Sequence, residues 1–272
     1  MTHHSVAFPL FRFYLTRAMH VQRLPESAER IVATLVPSKM SSEESEAMTR
    51  IQAVRDDLAH RNERIAMTDF GSGEGGLRSL FSSRKGPRDR SISSIHRTSS
   101  VPRHWGLVLF ELVRHLKPLS VVELGANLGV SAMYIQAALD LNGNGSQFTT
   151  IEGDPTLATI ARESVGRLST SHFRVVNGRF QDVLPDVLRD LAPVQLAFVD
   201  GHHEEAAMVS YYRMMRPHLD GFSVVVFDDL YPWNTGLRRA WRRILREESD
   251  AVGVDFAKLG VLIHGVPPEE RQ

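Results

Sequence analysis

The sequence contains no cysteine. Disulfide scaffolds, thiol nucleophiles, iron–sulfur clusters and Cys-based zinc sites are therefore excluded, and any metal must be held by oxygen or His ligands. No apolar run approaches the roughly 18–20 residues of a membrane span. The segment Met1–Pro25 has no clean signal-peptide core or small-residue cleavage site, so the expected location is cytoplasmic, with no membrane partner. Net charge is absent too: 32 Lys plus Arg balance 32 Asp plus Glu. A pI near 7.2 removes the global positive field of a general nucleic-acid binder. What remains, in 272 residues that are 42% hydrophobic and 24% charged, is an ordinary globular composition sized for one large domain with an appendage.

The text changes character near residue 105. Residues 1–104 read as a helical extension: short amphipathic stretches over 10–22 and 25–35, then a stronger helix opened by Ser41-Ser42-Glu43-Glu44. There Ser caps and early acids precede Met48, Ile51, Val54 and Leu58 at helical spacing. Residues 68–103 read as a Gly-, Ser- and Arg-rich loop. Between Arg78 and Arg103 there are seven Lys or Arg, eight Ser and one acid, Asp89. Such a segment is either a solvated linker or a lid that orders over a ligand. The extension's amphipathic helices need an apolar partner surface, and a homo-oligomer, at least a dimer, is expected.

From 105 to 272, apolar runs alternate with helical patterns. Strands are expected at 120–124, 148–152, 173–176, 194–199, 222–227, near 252–258 and at 260–264. Strand–helix alternation implies βαβ units, hence an α/β, doubly wound, mostly parallel seven-stranded sheet. The last two strands follow each other directly, so their link must be a hairpin and one edge strand is expected to run antiparallel.

Chemistry gathers at the strand ends. After the first comes Val122-Glu123-Leu124-Gly125-Ala126-Asn127-Leu128-Gly129-Val130-Ser131, where Gly125 and Gly129 let backbone pass close to a ligand and the following helix offers free N–H groups. It is neither G-x-G-x-x-G nor a P-loop. The second strand ends at Glu152, where a carboxylate can grip a ribose diol. Asp200 ends the fourth, ahead of Gly201-His202-His203, and Asp228-Asp229 end the fifth. Three carboxylates meeting in one crevice suit Mg2+ or another divalent ion, although one of the paired aspartates could instead cap the following turn. His203 or His202 could take a proton near neutral pH. Tyr231 and Trp233 could line a substrate pocket or pack the loop, and the Arg-rich run 238–246 reads as a solvated helix face.

Over residues 105–265 this constellation resembles the class I S-adenosylmethionine (SAM)-dependent methyltransferases, with their Rossmann-like fold. The string Glu123 to Ser131 is similar to the turn of the metal-dependent small-molecule O-methyltransferases, such as the catechol enzymes. The resemblance implies SAM held by Glu123, Gly125, Asn127, Gly129, Ser131, Glu152 and Asp200, with Phe180 and Gln181 at the adenine. It implies a metal on Asp200, Asp228 and Asp229, and catalysis by Asp200 with His203 as base. Asp229 stands where the catechol enzymes have Asn, and His203 where they have Lys. Both positions look more like the macrolide-sugar O-methyltransferases. The expected activity is divalent-metal-dependent methyl transfer to a hydroxyl of a sugar, catechol or other small natural product. The alternatives are a nucleic-acid or protein methyltransferase, disfavoured by the lack of an Asn/Asp-Pro-Pro-Tyr/Phe string, and a non-methylating relative acting as hydroxylase or binding partner.

Overall fold

The computed structural model describes residues 40–69, 86–169 and 171–265. The expected helices over 10–22 and 25–35 lie outside them. Helix α1 (Ser42–His60) starts at a capping box: the Ser41 side chain accepts from Glu44 N–H, and Glu44 accepts from Ser41 N–H at 2.9 Å. Strands β1 (Arg64–Asp69) and β2 (Gly86–Ser91) form an antiparallel pair, followed by α2 (Ile92–Ser99) and α3 (Arg103–Leu116).

The expected loop over 68–103 is thus corrected in its second half. Ser91 caps α2 through Ser94 N–H, and Ile92 and Ile95, one turn apart, are fully buried. Two isoleucines and a cap order a segment whose Ser and Arg content reads as solvated.

The remaining elements alternate. They are β3 (Ser120–Leu124), α4 (Val130–Asn142), β4 (Gln147–Glu152), α5 (Pro155–Gly166), β5 (Phe173–Asn177), α6 (Phe180–Leu191), β6 (Val194–Val199), α7 (Glu205–Met215), β7 (Leu219–Phe227), α8 (Thr235–Glu247), β8 (Ala251–Asp255) and β9 (Gly260–His264). The sheet order is β5-β4-β3-β6-β7-β9-β8. The expected antiparallel strand is β9, which lies between β7 and the rim strand β8 and pairs antiparallel with both.

Strand alternation divides two cores. Val121, Phe198, Val224 and Val226 face the layer of α3, α4 and α5, which α1 and α2 extend. Val122, Leu124, Ala197, Val225 and Phe227 face α6, α7 and α8. The apolar face of α1 (Ala47, Met48, Ile51, Val54, Leu58) is filled by the chain's own core, with Arg114–Glu44 (3.1 Å) and Arg167–Asp57 (2.6 Å) pairs tying the helix down. Among the described residues no helix is long and apolar enough to cross a membrane.

Register sets the site. Leu124 pairs with Val199, and Val199 with Phe227. Gly125, Asp200 and Asp228 therefore leave the sheet side by side, an arrangement closed by Asp200 N–H to Leu124 O (2.9 Å) and Asp228 N–H to Val199 O (3.0 Å).

Candidate active site

The turn after β3 is shaped by contacts inside the protein. Gly125 has φ +105°, and a Cβ there would run into the Asp200 carbonyl. Gly129, φ +83°, would drive a Cβ to 2.9 Å from the Ala161 backbone of α5. Both glycines are required by protein packing, a more immediate need than the close ligand approach expected from sequence. Gly129 is the N-cap of α4 and supplies no side-chain cap, so the first N–H groups of α4 lack a side-chain acceptor from that residue.

Glu123 is fully buried, and among the described residues neither carboxylate oxygen has a hydrogen-bond partner. Burial pushes its pKa up to about 7, against the pull of the neighbouring Ser131 and Thr150 hydroxyls. Ser131 is itself buried in the first turn of α4. Asn127, φ +50°, donates its N–H to Glu152 Oε2 at 2.8 Å, and Asp154 N–H reaches Oε1 at 2.9 Å. These bonds fix the Glu152 carboxylate while leaving lone pairs on both oxygens for further donors. Phe180 and Gln181 open α6 beside the next loop. The Phe180 ring abuts Gly201 and meets Tyr211 edge-on at 5.5 Å.

His202 and His203 diverge. His202, φ +57°, turns towards α7 and shares a 2.7 Å hydrogen bond with the Tyr211 hydroxyl. His203 turns into the acids: Nδ1 lies 3.0 Å from Asp229 Oδ2, and Nε2 lies 3.6 Å from Asp200 Oδ1. Asp200, His203 and Asp229 offer ligand atoms that all lie within 4.8 Å of one another. This donor set fits a hard divalent ion. Asp228 does not join it as the sequence suggested. Its Oδ1 accepts from Asp229 N–H (2.7 Å) and from the ammonium of Lys258, which also donates to Asp229 Oδ1 at 3.0 Å.

Lys258 is the residue that sequence reasoning missed. It comes from the β8–β9 turn and is 5% exposed. Burial opposes its charge, yet Asp228, Asp229 and Asp200 raise its pKa above the ordinary value. Burial would also raise Asp229, but the bond and charge of His203, together with Lys258, hold it well below the usual carboxylate range. Burial and the charges of Asp228 and Asp229 push Asp200 up. Burial would depress His203, but Asp229 and then Asp200 and Asp228 push it up to about 9. The ring is therefore a cation at neutral pH in this state, not the neutral imidazole expected from its ordinary pKa.

Beside the acids, Tyr231 and Trp233 stack at 4.6 Å with 8° between planes, and Trp233 is 63% exposed. Three of the five arginines of α8 are matched by acids, Arg239 by Glu205 (2.7 Å), Arg243 by Glu247 (3.0 Å) and Arg238 by Asp255, and Arg213 of α7 also reaches Glu247 (2.7 Å). The helix presents a mixed-sign face.

Residues 122–230 match the family model described as a methyltransferase domain. No curated protein matches the chain by sequence. In fold the chain is similar to the O-methyltransferase from Bacillus cereus in complex with SAH, with TM-score 0.55 and 15% identity over 86% of this chain and 94% of that one. It is also similar to the SAH-bound Podospora anserina methyltransferase PaMTH1, with TM-score 0.54 and 14% identity over 89% and 97%. At these identities the likeness is one of fold.

Proposed function

We propose that the protein moves the methyl group of SAM to a hydroxyl of a small molecule, assisted by a divalent cation, a reading supported by the match of residues 122–230 to the methyltransferase-domain model. The observation that supports this most is a pairing at adjacent strand ends. The unpartnered, buried carboxylate of Glu123 lies next to the turn that abuts Asp200, and Asp200 belongs to the only His/Asp cluster with metal-ligand spacing among the described residues.

Glu123 is suited to an ammonium, such as that of the methionine part of SAM, because a cation would satisfy oxygens that have no partner among the described residues. The open first turn of α4, with Ser131, suits the carboxylate of the same group. Glu152, held by Asn127 and Asp154, would accept from the ribose hydroxyls, and Phe180 with Gln181 would border the adenine. The donor structures similar in fold include two bound to SAH, the product such a transfer would leave.

In the transfer, the acceptor oxygen attacks the methyl carbon in line; the C–O bond forms as the C–S bond breaks. Asp200 and Asp229 would hold the cation, which would supply polarisation of the acceptor hydroxyl and offset the carboxylate charges that keep His203 protonated, leaving the His203 ring outside the coordination. His203 then takes the hydroxyl proton at Nε2, the nitrogen not bonded to Asp229. Tyr231 and Trp233 would wall the acceptor, which favours a planar ring or a sugar face.

The test is SAM turnover on a catechol and on a sugar with vicinal hydroxyls, with Mg2+ and with excess chelator. Methylation should need the cation and fall at least 100-fold in Asp229→Ala. Full activity in chelator would overturn the metal assignment, and no methylation of either acceptor class by the intact chain would overturn the acceptor assignment.

A further inference from the structure

The candidate site already contains a cation of its own. Only four of the 32 basic residues are lysine, namely Lys39, Lys85, Lys117 and Lys258. The one buried among three carboxylates is thus a compact ammonium in a chain that otherwise uses arginine. Its carrier is a tight turn: Phe256 N–H donates to Leu259 O (2.8 Å), Ala257 has φ +66°, and Leu230 N–H donates to Lys258 O (2.8 Å). That last bond pins the turn to the segment directly after Asp228-Asp229. Side-chain exposure is 6% for Lys258 and 3% for Asp228. Nζ sits 5.3 Å from the centre of the Tyr231 ring. Both oxygens of Asp229 are engaged, Oδ1 by Lys258 and Oδ2 by His203.

We propose that Lys258 is the resident cation of this site and the internal competitor of the divalent ion: it neutralises the Asp228–Asp229 pair in the metal-free protein, and an ion held by Asp229 competes with its ammonium for that carboxylate. The inference deepens the metal reading above and rests on it. Two carboxylates side by side, Asp228 buried and Asp229 half-buried, repel each other strongly without a counter-charge. Lys258 supplies that charge through the fold, so the crevice is assembled before any ion arrives. The consequence is weak and exchangeable metal binding, because each binding event must weaken the Lys258–Asp229 pair.

Two measurements on the full chain test this. The first is Mn2+ affinity, read by the loss of the free-ion paramagnetic resonance signal, for the parent and Lys258→Met. The variant should bind Mn2+ at least tenfold more tightly, and Mn2+ should raise its Tm more than that of the parent. Equal affinity in the two proteins would overturn the competition while leaving the metal reading intact. No binding by either at millimolar Mn2+ would overturn both.

The second measurement needs no variant: the rate of reductive methylation of each lysine, followed by mass spectrometry. In metal-free protein Lys258 should react at least tenfold more slowly than the exposed Lys117. Saturating Mn2+ should accelerate Lys258 alone. Labelling of Lys258 at the Lys117 rate without metal, or at one rate with and without Mn2+, would overturn the proposal.

Discussion

Glu123 shows how a single side chain can be costly to the fold and useful to a site. Its carboxyl is raised from an ordinary 4.5 to about 7 by burial. A folded-state pKa above the unfolded one means the folded protein binds the extra proton. Its contribution to stability is present below about pH 4.5 and is lost as pH rises through 7, a penalty of roughly 3 kcal/mol by pH 8. Glu123→Gln should therefore melt above the parent at pH 8, with the gap closing towards pH 5. It should also bind SAM at least tenfold more weakly. Thermal melts across pH and calorimetric SAM titration check both halves; a variant less stable at pH 8 with unchanged SAM affinity would remove Glu123 from the site. At this scale the sequence was readable where chemistry follows a strand end: Glu123, Glu152, Asp200, Asp228 and Asp229 are all there in the structure. Lys258 was not readable. Its partners lie about 30 positions away, brought close by the pairing of Phe227 with Gly260, and a lone Lys in a hairpin turn looks solvated. The protonation of His203 was hidden for a similar reason, since it depends on which of two adjacent histidines turns inward.

Among the elements, the βαβ alternation was legible because short apolar runs, those of β3, β6 and the second half of β7 buried on both faces, read differently from helices. Helix α6 was not, since Pro185 lies inside it and its start carries residues that read as a cofactor segment. The β1–β2 pair was missed because the end of β1, Thr68 and Asp69, and all of β2 fall within the stretch that read as a Gly-, Ser- and Arg-rich loop. What docks it is a long-range bond: Thr68 N–H donates to Asp154 Oδ2 at 2.7 Å, while Asp154 Oδ1 caps α5 through Thr156 and Leu157 N–H at 2.8 and 3.0 Å. One buried carboxylate thus joins the hairpin, the helix and the Glu152 turn. Asp154→Ala should cost about 1–2 kcal/mol as a lost cap. It should also loosen the hairpin, read as a lower urea midpoint together with faster amide exchange over 64–69. A midpoint shift without faster exchange there would confine the role of Asp154 to the cap.

For the molecule as a whole, zero net charge conceals local separation: three carboxylates at the centre of the sheet edge, and arginines matched by acids over α7 and α8. The same sheet edge holds Glu123 and Glu152 on one side and Asp200, His203 and Asp229 on the other, so a donor molecule and an acceptor would meet over Asp200. On this reading the crevice binds SAM. The most direct measurement is a calorimetric titration of the full chain with SAM, beside Glu152→Ala. The expected result is one saturable site in the parent, weakened at least tenfold in the variant; no binding up to millimolar SAM, or equal binding by both proteins, would contradict it.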